Sequence, residues 1–275
     1  MQRGPALPAL SLSIAACLAA PGSAAAGASV SLWGQSGGYD SVERFPSGAI
    51  ANEENGDVGG QELRASLGDD HRRWTVRWQR WRDAVDYSGA TQFGLPITTV
   101  TALTWTDFAG GLEWVTWHDG AWKTRVDAAL GRRMIRRNIL PTFFSTPLTE
   151  TLDYNYALAA AGVDFTPIHS WTFSARTGME LALKSRLRAD FHDAADPVTV
   201  ATRRRASWVH ELSLTKALNE NAHFTLGWRR NVLRVGSSAD VPYLINGQPT
   251  GSTVRYPGSI QRLDMLWLGV TIYWH

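Results

Sequence analysis

The feature that most constrains this chain is the segment from Trp171 to Asp190, where apolar and polar residues alternate with a period of two. Successive side chains of a β-strand point to opposite faces, so the alternation predicts a strand with one apolar and one polar face. The predicted strand has roughly 20 residues, whereas strands of soluble proteins usually have five or six and rarely exceed about ten. A strand of this length is typical of a barrel wall that crosses a membrane.

Short polar turns and longer irregular loops divide the chain into ten such strands. The turns are Gly68-Asp69-Asp70, His118-Asp119-Gly120, Pro167-Ile168-His169 and Asn219-Glu220-Asn221. The loops, rich in Gly, Pro, Ser, Asn and Asp, lie near 41–57, 87–99, 138–149, 191–202 and 237–257. The predicted strands are 28–40, 58–68, 71–86, 100–117, 121–137, 150–166, 170–190, 203–217, 222–236 and 258–274.

This organisation predicts an all-β fold, a ten-stranded antiparallel transmembrane β-barrel with short periplasmic turns and long outer loops. A sheet in lipid must close on itself, because every backbone N–H needs a partner. Aromatic residues near the strand ends are expected to form interfacial girdles. These are Trp33, Trp74, Trp122, Trp171, Phe224 and Trp274. The alternative, a soluble periplasmic β-sandwich or lipocalin-like barrel, is disfavoured by the strand lengths.

The composition excludes several other classes. The chain is 44% hydrophobic and contains 13 Trp, so disorder is not expected. Outside the first 26 residues it has no apolar run of about 18 residues, as a transmembrane helix requires. A net charge of +2 gives no reason to expect nucleic acid as a partner. No motif for a phosphate loop, a zinc site or a serine nucleophile is present, so we expect neither a metal nor a cofactor.

The N-terminus has the pattern of an export signal. Arg3 is followed by an apolar core over residues 6–20 and by a small-residue cleavage site at Ala24-Ala25-Ala26. We therefore expect residues 1–26 to be a signal peptide and residues 27–275 to be the barrel. The expected location is the bacterial outer membrane.

Two further motifs concern processing and assembly. Ile14-Ala15-Ala16-Cys17 resembles a lipoprotein cleavage box, which is the alternative to ordinary cleavage; ordinary cleavage would remove Cys17, the one cysteine of the chain. Residues 266–275 resemble the C-terminal assembly signal of outer-membrane proteins, although His275 follows the expected final aromatic residue. The outer-membrane assembly machinery is therefore an expected partner.

Strand parity places a set of charged residues on the inward face. They are Arg125, Asp127, Arg176, Glu180, Lys184 and Glu211. A ten-stranded barrel is narrow, so we predict that these residues fill the lumen as a salt-bridged plug. A proton or ion path, as in a small channel, is the alternative.

Arginines cluster at the loop ends of two strands. Arg132, Arg133 and Arg136 precede one long loop, and Arg203 and Arg204 follow another. At the outer end of the barrel they would reach lipopolysaccharide phosphates, which suit the planar guanidinium fork. These five residues are the predicted lipopolysaccharide-binding set, with outer-membrane lipids as partners; an ordinary solvated rim is the alternative.

Acids and a histidine follow two strands on roughly opposite walls of the mouth. Strand three ends near Asp83 and Asp86, and strand seven ends at Asp190 and His192. Two acids facing an acid–histidine pair could activate a water molecule, with His192 as general base. Asp190 would orient the histidine, and the opposite acids would position the water. A solvated loop is the alternative.

This arrangement resembles the omptins, outer-membrane proteases of Gram-negative bacteria. In that family an Asp-x-Asp pair in the second outer loop faces an Asp–His pair in the fourth. Asp190 and His192 match the second pair, whereas Asp83 and Asp86 read Asp-x-x-Asp. Trp105-Thr106-Asp107 also echoes an omptin stretch, without the residues that should follow it. Outside these short stretches the resemblance is confined to the topology.

The resemblance implies a lipopolysaccharide-dependent endopeptidase that cleaves peptide or protein substrates between basic residues. It assigns catalysis to Asp83, Asp86, Asp190 and His192. The competing hypothesis is a non-catalytic omptin-shaped barrel that acts in surface binding, adhesion or lipopolysaccharide interaction.

Overall fold

The computed structural model describes residues 27–90 and 95–274, so the predicted signal peptide and His275 lie outside the described residues. In chain order the strands are β1 (Gly27–Arg44), β2 (Ile50–Gly68), β3 (Arg72–Ala90), β4 (Pro96–Asp119), β5 (Trp122–Ile139), β6 (Leu148–Ile168), β7 (Trp171–Asp190), β8 (Val198–Ala201), β9 (Ala206–Asn219), β10 (Ala222–Val235), β11 (Val241–Ile245), β12 (Gln248–Val254) and β13 (Ser259–Trp274). Within these ranges, no helix is long and apolar enough to span a membrane.

Ten of the strands form a closed antiparallel ring. Its order is β6-β5-β4-β3-β2-β1-β13-β10-β9-β7, and pairing between β6 and β7 closes it. The short β8 pairs with the upper part of β7, and β11 and β12 form a separate hairpin. Each wall strand therefore has a hydrogen-bonded neighbour on both sides, as lipid requires. The predicted ten-stranded barrel is confirmed.

The connections differ at the two ends of the barrel, as predicted. Four short turns, at 69–71, 120–121, 169–170 and 220–221, lie at one end. At the other end are the connections 45–49, 91–95, 140–147, 191–205 and 236–258. The first two are shorter than predicted, because β2 begins at Ile50 and β3 continues to Ala90. After Ile50 and Ala51, residues 52–57 have no apolar side chain on either face, so their sequence lacks the apolar alternation that reveals the lower part of the strand.

A β-bulge in β7 reverses the faces of its upper part. Asn155 of β6 pairs with Lys184 and the next residue, Tyr156, pairs with Ala182, which leaves Leu183 as an extra residue. Below the bulge Glu180 is buried, whereas above it the odd-numbered residues are buried and Lys184 is exposed. The prediction that Lys184 faces inward is therefore wrong.

The lumen is filled by arginine–carboxylate pairs. Arg229 contacts Glu211 at 2.5 Å and Glu62 at 2.8 Å, and Arg133 contacts Asp107 at 2.7 Å. The other predicted inward charges are also paired in the lumen: Arg125 pairs with Glu113 and Asp164, Arg176 with Asp127 and Glu211, and Glu180 with Arg133. The salt-bridged plug is thus confirmed for all predicted members except Lys184.

Outward-facing side chains form an apolar belt around the lower part of the barrel. Three outward ion pairs border it from above: Arg132–Asp153 at 2.7 Å, Arg230–Asp264 at 2.7 Å and Arg262–Asp40 at 3.2 Å. From Asp264 down to Trp274, the tilted strand β13 spans a height of about 26 Å at the usual rise and tilt. This height matches the hydrocarbon region that outer-membrane barrels cross.

Five of the six predicted girdle residues face outward or lie at the surface, but Trp33 does not. Its side chain is 6% exposed and packs in the lumen against Trp267, with ring centroids 4.9 Å apart. Trp33 lies flat over Gly269, and Trp267 lies over Gly227; a Cβ at either glycine would collide with the indole ring. The prediction that Trp33 belongs to the interfacial girdle is therefore wrong.

Candidate anion-binding site

Asp190 and His192 lie together at the outer end of β7. The Asp190 carboxylate accepts a hydrogen bond from the backbone N–H of His192 at 3.0 Å. The ring Nε2 of His192 lies 3.2 Å from the hydroxyl of Thr149 on β6. His192 has a positive φ of 53° and begins a single 3-10 turn. Asp190 thus holds the backbone of His192, while the imidazole is oriented by Thr149.

Asp83 and Asp86 lie within β3 rather than in a loop. Both are exposed, and the carboxylate of Asp83 accepts a hydrogen bond from the Ala84 N–H at 2.9 Å. Because they are three residues apart in a strand, the two acids point to opposite faces of the wall.

The structure does not assemble the predicted constellation across the mouth. Strands β3 and β7 lie on roughly opposite walls, as predicted. Above the Leu183 bulge, however, Asp190 shares the outward face of β7 with Arg186 and Arg188. Asp86 is also on the outward face of its strand, so these two acids point away from one another. The pair Asp190 and His192 is brought together, but Asp83 and Asp86 are not brought to it.

The predicted arginine set divides into lumenal and external members. Arg133 is buried, with its guanidinium 2.7 Å from Asp107 and 2.9 Å from Glu180. It belongs to the plug and is excluded from an outward-facing lipid site, because odd-numbered residues of β5 face inward. Arg132 and Arg136 are on the outward face, and Arg203 and Arg204 are exposed in the connection before β9.

A groove of about 430 Å³ lies on the outer wall of the barrel, above the apolar belt. We call it the arginine groove. It is lined by Arg136 of β5, by Thr149, Thr151 and Asp153 of β6, by Arg186, Arg188 and Asp190 of β7, and by Thr199 of β8. The groove is therefore built from the outward faces of neighbouring strands.

Strand register fixes the spacing of the groove's cations. Arg136 and Arg188 are the two lateral partners of Thr151, so their Cα atoms are about 10 Å apart, or two strand spacings. Arg186 pairs with Asp153 one row lower. Two rows below Thr151, Asn155 lies between Arg132 and Lys184. The outer wall thus carries cations of β5 and β7 on both sides of the polar residues of β6.

The groove has more cations than its own acids compensate. Asp153 is engaged by Arg132, which donates to both carboxylate oxygens at 2.9 and 2.7 Å. Asp190 is 3.7 Å from Arg188. Arg136 and Arg186 form no ion pair among residues 27–90 and 95–274. Unpaired guanidinium groups beside threonine hydroxyls suit a phosphate or another oxyanion, which accepts several hydrogen bonds at once.

Sequence reasoning found part of this site. Arg136 and Asp190 are among the residues that the sequence predicts, as is Arg132 at the lower edge of the groove, but Arg186 and Arg188 are not. A bulge adds one residue without a composition signal, so parity counted from the apolar part of β7 fails above it. The dense run of cations from Lys184 to Arg188 was the available signal.

Comparisons with known proteins support the fold. No protein-family model matches this sequence, and no curated protein matches it. A solved structure similar to it is outer membrane protease OmpT from Escherichia coli, with a TM-score of 0.64 and 8% identity over 90% of this chain and 96% of that chain. The chain has an outer-membrane β-barrel fold. At this level of identity the similarity concerns the fold alone.

Two further solved structures are similar at lower TM-scores. The translocator domain of the autotransporter NalP from Neisseria meningitidis has a TM-score of 0.42 and 12% identity, over 90% of this chain and 88% of that chain. Ail from Yersinia pestis, solved with the heparin analogue sucrose octasulfate, has a TM-score of 0.32 and 8% identity, over 90% of this chain and 99% of that chain.

Proposed function

We propose that this outer-membrane β-barrel binds phosphorylated surface lipid, namely lipopolysaccharide, through the arginine groove. The observation that carries the proposal is the pair of uncompensated cations, Arg136 and Arg186, on the outward wall just above the apolar belt. In this non-catalytic role the protein acts by holding lipid at its outer wall.

The height of the groove supports a lipid rather than a soluble ligand. Arg132, at its lower edge, forms one of the ion pairs that border the apolar belt. Below the groove the same strands expose Leu130, Met179 and Leu181 to the membrane. A lipid whose phosphates contact the arginines would therefore place its acyl chains along this apolar wall.

An omptin-like endopeptidase is the second candidate function. The observation in its favour is the adjacency of Asp190 and His192 at the outer end of β7. Catalysis would need Asp83 and Asp86 to hold a water molecule near His192, but these acids lie on opposite faces of a distant strand. The geometry therefore favours binding over proteolysis.

The test compares lipopolysaccharide binding by two charge-matched variants. The triple variant Arg136→Gln, Arg186→Gln and Arg188→Gln removes the groove cations, and Arg82→Gln with Arg205→Gln and Arg234→Gln, at exposed positions outside the groove, is the control. Charged hydrogen bonds are worth about 1.5–3 kcal/mol each, so the groove variant should bind about tenfold or more weakly by calorimetry. Dephosphorylated lipopolysaccharide should bind the wild-type protein equally weakly.

Two results would contradict the proposal. The first is equal affinity of the groove and control variants, which would place lipid binding elsewhere. The second is cleavage of dibasic peptides by the refolded barrel with lipopolysaccharide, lost in His192→Ala, which would establish the protease instead.

A further inference from the structure

A second cavity, of about 160 Å³, lies in the lumen toward the short turns. We call it the lower cavity. Its position follows from Ser29 near the start of β1, Thr271 near the end of β13 and Arg73 just after the first short turn, which all line it. It therefore lies inside the barrel at the level of the apolar belt, nearer the periplasmic end, and below the arginine groove.

The wall of the lower cavity consists almost entirely of hydrogen-bond donors. It contains five arginines, eight serines and threonines, two tryptophans and one tyrosine, against the single carboxylate of Glu211. Hydroxyl pairs such as Ser31 with Thr271, at 2.8 Å, connect neighbouring strands around it. A hydroxyl can accept as well as donate, but arginine and tryptophan side chains only donate.

Several donors on these wall residues lack a partner. The indole N–H groups of Trp33 and Trp267 and the Nε of Arg125 are buried without a hydrogen bond among the described residues. Buried donors are normally paired in folded proteins, so unpaired ones beside a cavity favour an acceptor ligand.

The charge distribution also favours an anion. Four of the five arginines are held by acids; Arg64, for example, lies 3.0 Å from Glu62, and Arg125 lies 3.3 Å from Asp164. Arg73 forms no ion pair within the described parts of the chain. Arg73 therefore leaves one uncompensated positive charge at the cavity wall. Of the carboxylates that pair with the other four arginines, only Glu211 lines the cavity.

We propose that the lower cavity binds a small oxyanion, inorganic phosphate or sulfate, from the periplasmic side. The volume corresponds to about five water molecules at 30 Å³ each, which is enough for one tetrahedral oxyanion and some of its hydration. Arg73 supplies the charge, and the hydroxyls and indole N–H groups supply neutral donors around it. This inference does not depend on lipid binding at the arginine groove.

The experiment must separate the two anion-binding surfaces. It therefore uses refolded full-length barrel that carries Arg136→Gln, Arg186→Gln and Arg188→Gln, and it measures binding of inorganic phosphate by calorimetry, with sulfate in a second arm. We expect saturable binding with a stoichiometry of one. Adding Arg73→Gln should weaken it at least fivefold, whereas Arg72→Gln, at the exposed neighbouring position, should not.

A second variant tests the neutral donors without relying on charge. Trp33→Phe with Trp267→Phe keeps aromatic rings over the two glycines but removes both indole N–H groups, and it should also weaken phosphate binding. Heat-modifiable migration on gels verifies that each variant is folded. Absence of saturable binding by the folded barrel, or equal loss in Arg73→Gln and Arg72→Gln, would overturn the proposal.

Discussion

Replacing Glu150 with glutamine is expected to stabilise the barrel at pH 8 and to change its stability little at pH 4. Glu150 lies near the outer end of β6, above the apolar belt, in a buried cluster where Arg137 faces three glutamates. The guanidinium is 2.7 Å from Glu150 and 3.0 Å from Glu54, and it also contacts Glu43. One buried cation therefore has to compensate three carboxylates.

The size of the effect follows from the pKa of Glu150. This pKa is raised from 4.5 to about 7, because burial and the nearby carboxylates of Glu43 and Glu54 raise it by more than Arg137 lowers it. Each pKa unit corresponds to about 1.4 kcal/mol, so ionisation of Glu150 costs the folded state about 3 kcal/mol.

The sign of the pH dependence is set by the raised pKa. Below pH 4.5 both states hold the proton, and between pH 4.5 and 7 the folded protein keeps a proton that the unfolded chain has lost. The contribution of Glu150 to the unfolding free energy of the wild type therefore falls as the pH rises through this interval and is level above it. Glutamine cannot ionise, so the variant should exceed the wild type by about 3 kcal/mol at pH 8.

The assay is urea unfolding of the barrel in phospholipid vesicles, followed by tryptophan fluorescence at pH 4 and pH 8. Subtracting wild type from variant at each pH cancels the other titrating groups. Glu53→Gln, at an exposed position of β2, is the matched control and should give no pH-dependent difference. The reasoning would be refuted if Glu150→Gln were less stable than the wild type at pH 8. It would also be refuted if the difference in unfolding free energy between variant and wild type were the same at both pH values.

Two further substitution pairs test the packing of the lumen. Arg229→Ala removes one of the two arginines that contact each of Glu62 and Glu211 inside the barrel, and it should cost about 3–5 kcal/mol in urea unfolding. Arg230→Ala breaks an exposed pair and should cost less than about 1 kcal/mol. Similar losses in the two variants would contradict the assignment of faces. Gly269→Val would place its Cβ 1.8 Å from the Trp33 ring and should prevent formation of the heat-modifiable folded form. Gly34→Val, whose Cβ would have no atom within 4 Å, should fold. Folding of both variants would show that Trp33 does not occupy this site.

The membrane-crossing part of the fold was predictable because lipid and lumen impose opposite polarity on the two faces of each strand. Alternation in β7 and the four short turns located the strands within a few residues. Above the membrane this contrast disappears, since water contacts the wall from outside and polar side chains fill it from inside. The start of β2 at Ile50 could not be recognised for this reason.

The candidate site was less predictable because it depends on a single extra residue. Leu183 shifts the register of β7, so Arg186, Arg188 and Asp190 all face outward. Adjacent arginines illustrate the same dependence: Arg132 lies on the outer wall, while Arg133 is in the plug. Clustering of charges in sequence therefore indicated the right region, but the face of each charge required the register.

The position of β13 between β1 and β10 has a consequence for how the barrel forms. Pairing of β1 with β13 connects residues such as Ser31 and Thr271, which are 240 positions apart in the chain. The ring therefore closes only after the last strand has been synthesised and exported, and until then β1 and β10 expose unpaired edges. Open edges of this length are prone to aggregation, and contacts so distant in sequence form slowly. Folding of this protein is thus expected to be limited by the final seam, whose two partners have to be kept apart from other chains until they meet.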